Sequence, residues 1–271
     1  MRFNKVLFCL CLLALSAHSQ HSSTGAWPVV RIGIEGDDPP MSFFDGASQK
    51  LTGFDIELAQ AACRRAGLKP SFYHSYRNRL FRDLQEKKVD LVWSGIGINT
   101  ERKNLYAFSR PYMKSQLLLL LRKDSPLRRL RDLEGKAIGY LAGSANEIQL
   151  LQDSVLGPSI AQGRTRLQAT DPSLLESLPQ MEFYHIVALA IDDYHLHAFS
   201  SIAVERIPVR ILDAPLPYRS LGFAARQPDS ALVRKLDMAI ESLEADGSLQ
   251  KMRQQWFPPS LPKSLRFSSN P

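Results

Sequence analysis

The chain has 271 residues, 44% of them apolar and 23% charged, a composition that excludes a disordered polymer and fits a folded globular protein. Its formal net charge is +7, but the basic residues are interspersed with acidic ones, and no nucleic-acid-binding motif accompanies them. The length allows one large domain or two small ones.

Arg2 and Lys5, the uncharged apolar run Val6–Leu15 and the small residues Ala17 and Ser19 have the layout of a cleaved export signal over residues 1–19. The run is short of the roughly 20 apolar residues that span a bilayer. Removal takes Cys9 and Cys11 with it, so Cys63 remains alone and no internal disulfide is expected. The mature charge is then about +5.

Val29–Ile34 reads as a strand, and Gly36-Asp37-Asp38-Pro39-Pro40 stops it, because prolines remove donors and fix the backbone. Phe54–Ala66 has helical apolar spacing and ends at Gly67. A strand follows at Pro70–Tyr73, a helix around Leu80 and Leu84, and a buried strand at Val89–Trp93. Leu117–Leu121 is continuous apolar sequence suited to a strand covered on both faces. Lys136–Tyr140 and Ile186–Ile191 are further strands, with helical patterns at Glu147–Leu151 and Pro172–Leu178. Ser230–Ala245 is a long amphipathic helix closed by Asp246-Gly247, with a last helix near Leu249–Trp256. Alternating strands and helices predict α/β units with mostly parallel sheets, in two clusters on either side of Leu117–Leu121.

Several stretches resemble one family in order. Leu51-Thr52-Gly53-Phe54-Asp55-Ile56-Glu57-Leu58-Ala59, Lys88-Val89-Asp90-Leu91-Val92, Asn99-Thr100-Glu101-Arg102-Lys103 and Phe108-Ser109-Arg110-Pro111-Tyr112 are similar to motifs of periplasmic polar amino-acid-binding proteins. Leu133-Glu134-Gly135-Lys136, Ala142-Gly143-Ser144, Ala245-Asp246-Gly247-Ser248 and Trp256-Phe257 continue the match. These relatives are the solute-binding subunits of ABC transporters, solute-binding protein family 3. The resemblance implies an α/β, type II periplasmic-binding-protein fold: two α/β lobes joined by two crossover strands around a ligand cleft. It divides the chain into a first lobe over 27–114, a second over 115–221, a return to the first over 222–260, and a loose tail over 261–271.

The resemblance also assigns ligand-binding residues. Arg102 matches the arginine that holds a ligand α-carboxylate, for which a guanidinium fork is well shaped; as plain surface chemistry it would instead pair with Glu101 or Asp90. Asp192, at the carboxyl end of the strand Ile186–Ile191, matches the aspartate that holds the ligand ammonium, with Asp193 as its neighbour and helix capping as the alternative role. Gly95 and Gly97 follow the strand Val89–Trp93 and could offer backbone groups. The family usually has Ser or Thr where this chain has Gly97, so a hydroxyl contact is lost. Ser144, with the N–H groups of Ala145 and Asn146, could add contacts from the second lobe, or simply cap a helix. Tyr76 corresponds to an aromatic wall, and Glu35 with Asp38 would favour a cationic ligand side chain.

No catalytic residue, cofactor or metal site is expected; His185 is a lone histidine without a partner at metal spacing. The expected partners are an amino-acid-like small molecule and a membrane permease, with the protein itself an exported, periplasmic monomer. Two other functions use the same fold: an exported dehydratase, for which Glu35, Asp38 and His74 are the available acid–base groups, and a freestanding sensor subunit.

Overall fold

The computed structural model describes residues 27–170, 174–198, 209–214 and 216–258. The expected export segment and the tail over 261–271 lie outside the described residues.

The first lobe opens with β1 (Val29–Ile34). A small antiparallel sheet follows, made of β2 (Asp37–Asp38), β3 (Ser42–Phe44) and β4 (Leu51–Thr52). Then come α1 (Phe54–Arg65), β5 (Lys69–His74), α2 (Leu80–Gln85), β6 (Leu91–Val92), α3 (Thr100–Leu105) and β7 (Tyr106–Phe108). The long strand β8 (Met113–Arg122) leads into β9 (Ala137–Leu141), α4 (Asn146–Gln152), α5 (Leu156–Ala161), β10 (Arg166–Thr170) and α6 (Leu174–Phe183). After these come β11 (Ala188–Asp192), α7 (His195–Ala198) and β12 (Val209–Ile211). The chain returns through β13 (Tyr218–Leu221) and β14 (Ala224–Arg226) and ends its described part with α8 (Ser230–Ala245) and α9 (Ser248–Trp256).

Two main sheets result, ordered β5-β1-β6-β14-β7 and β10-β9-β11-β8-β12, with β13 also beside β8. Both are mostly parallel with one strand reversed: β14 runs against β5, β1, β6 and β7 in the first, and β8 runs against β10, β9, β11 and β12 in the second. Periodicity within a segment reports burial, not the direction of its neighbour, so the sequence pattern does not single out the reversed strands. Here β13 pairs antiparallel with the first half of β8, from Tyr218 against Gln116 to Leu221 against Met113, so the two connections between lobes run side by side.

Local chemistry explains the main elements. In α1, Phe54, Leu58, Ala59 and Ala62 are all fully buried, while Asp55 and Glu57 in the first turn and Arg64 and Arg65 in the last suit the helix dipole. Burial of each large apolar side chain contributes about 1.5–3 kcal/mol. The helix stops at Gly67, whose φ of 62° is left-handed and open to glycine at little cost. Cys63 sits in this core as a small buried side chain, and burial pushes its thiol up to about 11. In β8, Leu118 and Leu120 pack with Met181 and Leu189 on one face, and Leu117, Leu119 and Leu121 pack with Ile138 and Leu150 on the other. That is why the run from Leu117 to Leu121 has no polar position.

Candidate ligand-binding cleft

The carboxyl ends of the strands in both sheets meet between the lobes, where an open α/β sheet offers a binding crevice. The lobes touch there directly. Nε2 of His195 lies 3.0 Å from Oδ1 of Asp38, and the Tyr194 hydroxyl donates to Oδ2 of Asp38 at 3.4 Å. A carboxylate only accepts, so Nε2 is the donor in the His195 contact. Tyr194, His195 and Asp38 are each at most 4% exposed.

The first-lobe wall is built around Arg77, which follows β5. Its Nη2 lies 2.5 Å from Oε2 of Glu35 and 2.6 Å from Oδ2 of Asp38. Glu35 and Asp38 flank the turn after β1. Burial raises the Glu35 carboxyl well above its ordinary value, against the lowering effect of the Arg77 charge. Burial acts the same way on Asp38, but the Arg77 charge and the His195 contact outweigh it and hold Asp38 low as the anion.

Gly95 has φ of 56°. Its N–H donates to Oδ2 of Asp55 at 2.6 Å, so that group faces the protein's own core rather than the cleft. A Cβ on Gly95 would stand 3.0 Å from the Tyr194 hydroxyl and 3.3 Å from Oδ2 of Asp38, so the absent side chain permits the interlobe contact. Burial pushes the Asp55 carboxyl up to about 7, against the lowering effect of the Gly95 N–H.

Arg102 stands in the first turn of α3, where the side chain of Asn99 accepts from the Arg102 N–H at 2.8 Å. Its guanidinium donates to the carbonyl oxygens of Gly97 at 3.0 Å and, across the cleft, of Gly143 at 3.4 Å, and it lies over the Phe81 ring at 5.0 Å. The surface alternatives do not form. Asp90 pairs with Arg31 and Arg226, and Arg102 has no ion-pair partner among the described residues. Burial, then the nearby charges of Arg219 and Arg77, bring Arg102 down to about 10.

The second-lobe wall is held by Asp192, the last residue of β11. Ser115 Oγ lies 2.7 Å from one of its oxygens and 2.8 Å from Asp193, and Arg219 of β13 forms an ion pair with the other. The Arg219 stem runs past Gly97. A Cβ there would be 3.4 Å from Cδ of Arg219, 3.5 Å from its Nε and 3.0 Å from Cβ of Ala145. The glycine thus leaves room for an arginine where a Ser or Thr would stand. The Ser144 hydroxyl accepts from the Asn146 N–H at 3.3 Å just ahead of α4, whose N-cap is Ala145.

Tyr76, expected as an aromatic wall, stands at the surface of the first lobe. Its ring is 64% exposed and sits by His74, whereas the following residue, Arg77, enters the cleft, and the buried aromatic side chain there is Tyr194. Glu35 and Asp38, expected to favour a cationic ligand side chain, both pair with the protein's own Arg77. Arg77, Tyr194, His195 and Arg219 were all missed in the sequence. Arg77 adjoins a residue that was singled out, and Tyr194 and His195 follow Asp192 and Asp193 directly; Arg219 carries no local signal. Beside this cluster lies a cavity of about 540 Å³, lined by Asn99, Thr100, Lys103, Gln149, Gln152 and Arg219 among others.

Among the described residues no helix is long and apolar enough to cross a membrane, and no cluster of metal-ligating side chains is present. Residues 30–259 match the profile of bacterial extracellular solute-binding proteins, family 3. The chain is 28% identical to the L-cystine-binding protein TcyJ of Escherichia coli (strain K12) over 228 residues, 83% of this chain and 81% of that one. It is 28% identical to the arginine-binding extracellular protein ArtP of Bacillus subtilis (strain 168) over 247 residues, 91% of this chain and 92% of that one. Among solved structures it is similar to an ancestral arginine-binding protein bound to arginine, with a TM-score of 0.75 at 26% identity, covering 86% of this chain and all of the other. It is also similar to an ancestral amino-acid-binding protein described as a precursor of cyclohexadienyl dehydratase, with a TM-score of 0.71 at 25% identity over 84% of this chain and 95% of the other. With the family profile covering most of the chain and both lobes matched by solved relatives, this protein belongs to the bacterial extracellular solute-binding proteins, family 3.

Proposed function

We propose that the protein captures an amino acid or related small carboxylate outside the cytoplasm, by closure of its two lobes, and delivers it to the permease of an ABC transporter. The relatives named as cystine- and arginine-binding proteins support the solute class. The observation that carries the reading is Arg102: a largely buried guanidinium at the lobe junction, bonded only to backbone carbonyls of both lobes and without a counter-ion among the described residues. A ligand carboxylate supplies that counter-ion through paired hydrogen bonds. Binding at this point joins the lobes, and a ligand that prefers the closed form shifts the hinge equilibrium toward it.

On this reading the protein is an exported monomer, periplasmic after signal removal, and it performs no chemistry. Two of the three acid–base groups that a dehydratase would draw on are engaged: Glu35 and Asp38 with Arg77, and Asp38 also with His195. The test is thermal unfolding of the exported protein against a panel of amino acids and small organic acids, for the parent and for Arg102→Ala. A stabilising compound whose effect is lost in the variant supports the reading. A compound that is turned over rather than held contradicts it.

A further inference from the structure

The charges in the cleft are unevenly satisfied. The carboxylates that face the Arg102 end of the cleft already have a guanidinium: Asp192 has Arg219, and Glu35 and Asp38 share Arg77, while the neighbouring Asp193 accepts from the Ser115 hydroxyl. The cations are not matched in the same way. Arg102 donates only to carbonyls, and Nε of Arg219, a side chain 92% buried by its 8% exposure, has no acceptor among the described residues. Both guanidiniums flank Gly97, one at its carbonyl and the other across the space a side chain would fill. The 540 Å³ cavity that Arg219 lines also presents Lys103, Asn99, Thr100, Gln149 and Gln152, and neither Asp nor Glu lines it.

We propose that the cleft takes a small dicarboxylate that carries no ammonium group, with one carboxylate on Arg102 and the other in the cavity beside Arg219 and Lys103. The proposal rests on the reading of this cleft as the solute site and narrows its solute class. A second anion beside Arg219 meets the free Nε and the Lys103 ammonium without competing with Asp192. An α-amino acid brings an ammonium that must compete with Arg219 for Asp192 or with Arg77 for Asp38, so its desolvation is poorly compensated. Burial and, after it, the charges of Arg219 and Arg77 bring Arg102 down, and a ligand anion offsets the repulsion.

The experiment is calorimetric titration of the exported protein, made from the full-length sequence, with succinate, 2-oxoglutarate, glutamate and arginine. Binding of succinate or 2-oxoglutarate at least about tenfold tighter than either amino acid is expected. Arg219→Met should weaken the dicarboxylate and, by releasing Asp192, strengthen glutamate. Lys103→Glu, at an exposed position that leaves the core intact, should weaken the dicarboxylate about tenfold or more and holds the test if Arg219→Met fails to fold. Tighter binding of arginine or glutamate than of both dicarboxylates, lost in Arg102→Ala, overturns this proposal and leaves the amino-acid reading standing. Absence of binding by all four overturns this proposal, while the broader amino-acid panel decides the reading it rests on.

Discussion

Arg77 and Asp38 form an ion pair with Nη2 to Oδ2 at 2.6 Å, each side chain only 4% exposed, and the same guanidinium reaches Glu35. A charge pair this deep adds little net stability over a well-packed apolar pair, but loss of one partner leaves the other stranded. Arg77→Met should therefore destabilise the protein by about 3–5 kcal/mol. Adding Asp38→Asn to it should recover a substantial part. Urea unfolding of the single and double variants checks this, and additive losses would contradict the coupling.

Asp55 gives a pH dependence with a defined sign. Its folded value is raised to about 7, from an ordinary aspartate value near 3.9, by burial in the first-lobe core. The folded state therefore holds that proton more tightly than the unfolded state does. The stability this contributes is complete below about pH 4 and is lost as pH rises through about 7. Asp55→Asn should flatten the fall in unfolding free energy over that window, read from urea titrations at several pH values. A parent and variant with parallel pH profiles would contradict the buried-proton account.

Closure depends on His195 and Asp38, which join the lobes at 3.0 Å. His195→Ala should shift the ligand-free protein toward an open form with a larger radius of gyration by solution X-ray scattering. An unchanged scattering profile would show that the hinge and the Arg102 contact to Gly143 suffice without the histidine.

Gly97→Ser restores the residue type usual in the family but places a Cβ 3.0 Å from Ala145 and 3.4 Å from Arg219. Overpacking at such a contact costs about 1–3 kcal/mol. The loss should shrink when Arg219→Ala is combined with it, since the space is then free. Thermal unfolding of the three variants measures the coupling, and a fully tolerated Gly97→Ser would mean that Arg219 swings aside at no cost.

Much of the scaffold was legible in the sequence because it rests on local patterns. Val29–Ile34 and Ser230–Ala245 are elements with the boundaries their apolar spacing indicated. The run Ile186–Ile191 put Asp192 at a strand end, and the structure has it as the last residue of β11. The short strands β7, β12, β13 and β14 carry too few residues for periodicity to register. The polar network was less legible for a different reason. Asp38 meets Arg77 across 39 residues and His195 across 157, and Arg219 reaches Asp192 from a connecting strand. Nothing local distinguishes such residues from solvated surface charges. At Tyr76 and Arg77 the choice of side chain turns on the bend after β5, where Arg79 N–H bonds back to the Tyr76 carbonyl, and a one-residue difference reverses which side chain enters the cleft.

The central claim is that Arg102 clamps the carboxylate of a solute held between the lobes. It is tested most directly by thermal unfolding of the parent, Arg102→Lys and Arg102→Ala with a solute at a hundredfold excess over its Kd. The parent should gain about 2.7 kcal/mol. Arg102→Lys, which keeps the charge but loses the planar fork, should gain less, and Arg102→Ala should gain almost nothing. An equal gain in all three proteins would contradict the clamp and move the solute's carboxylate elsewhere.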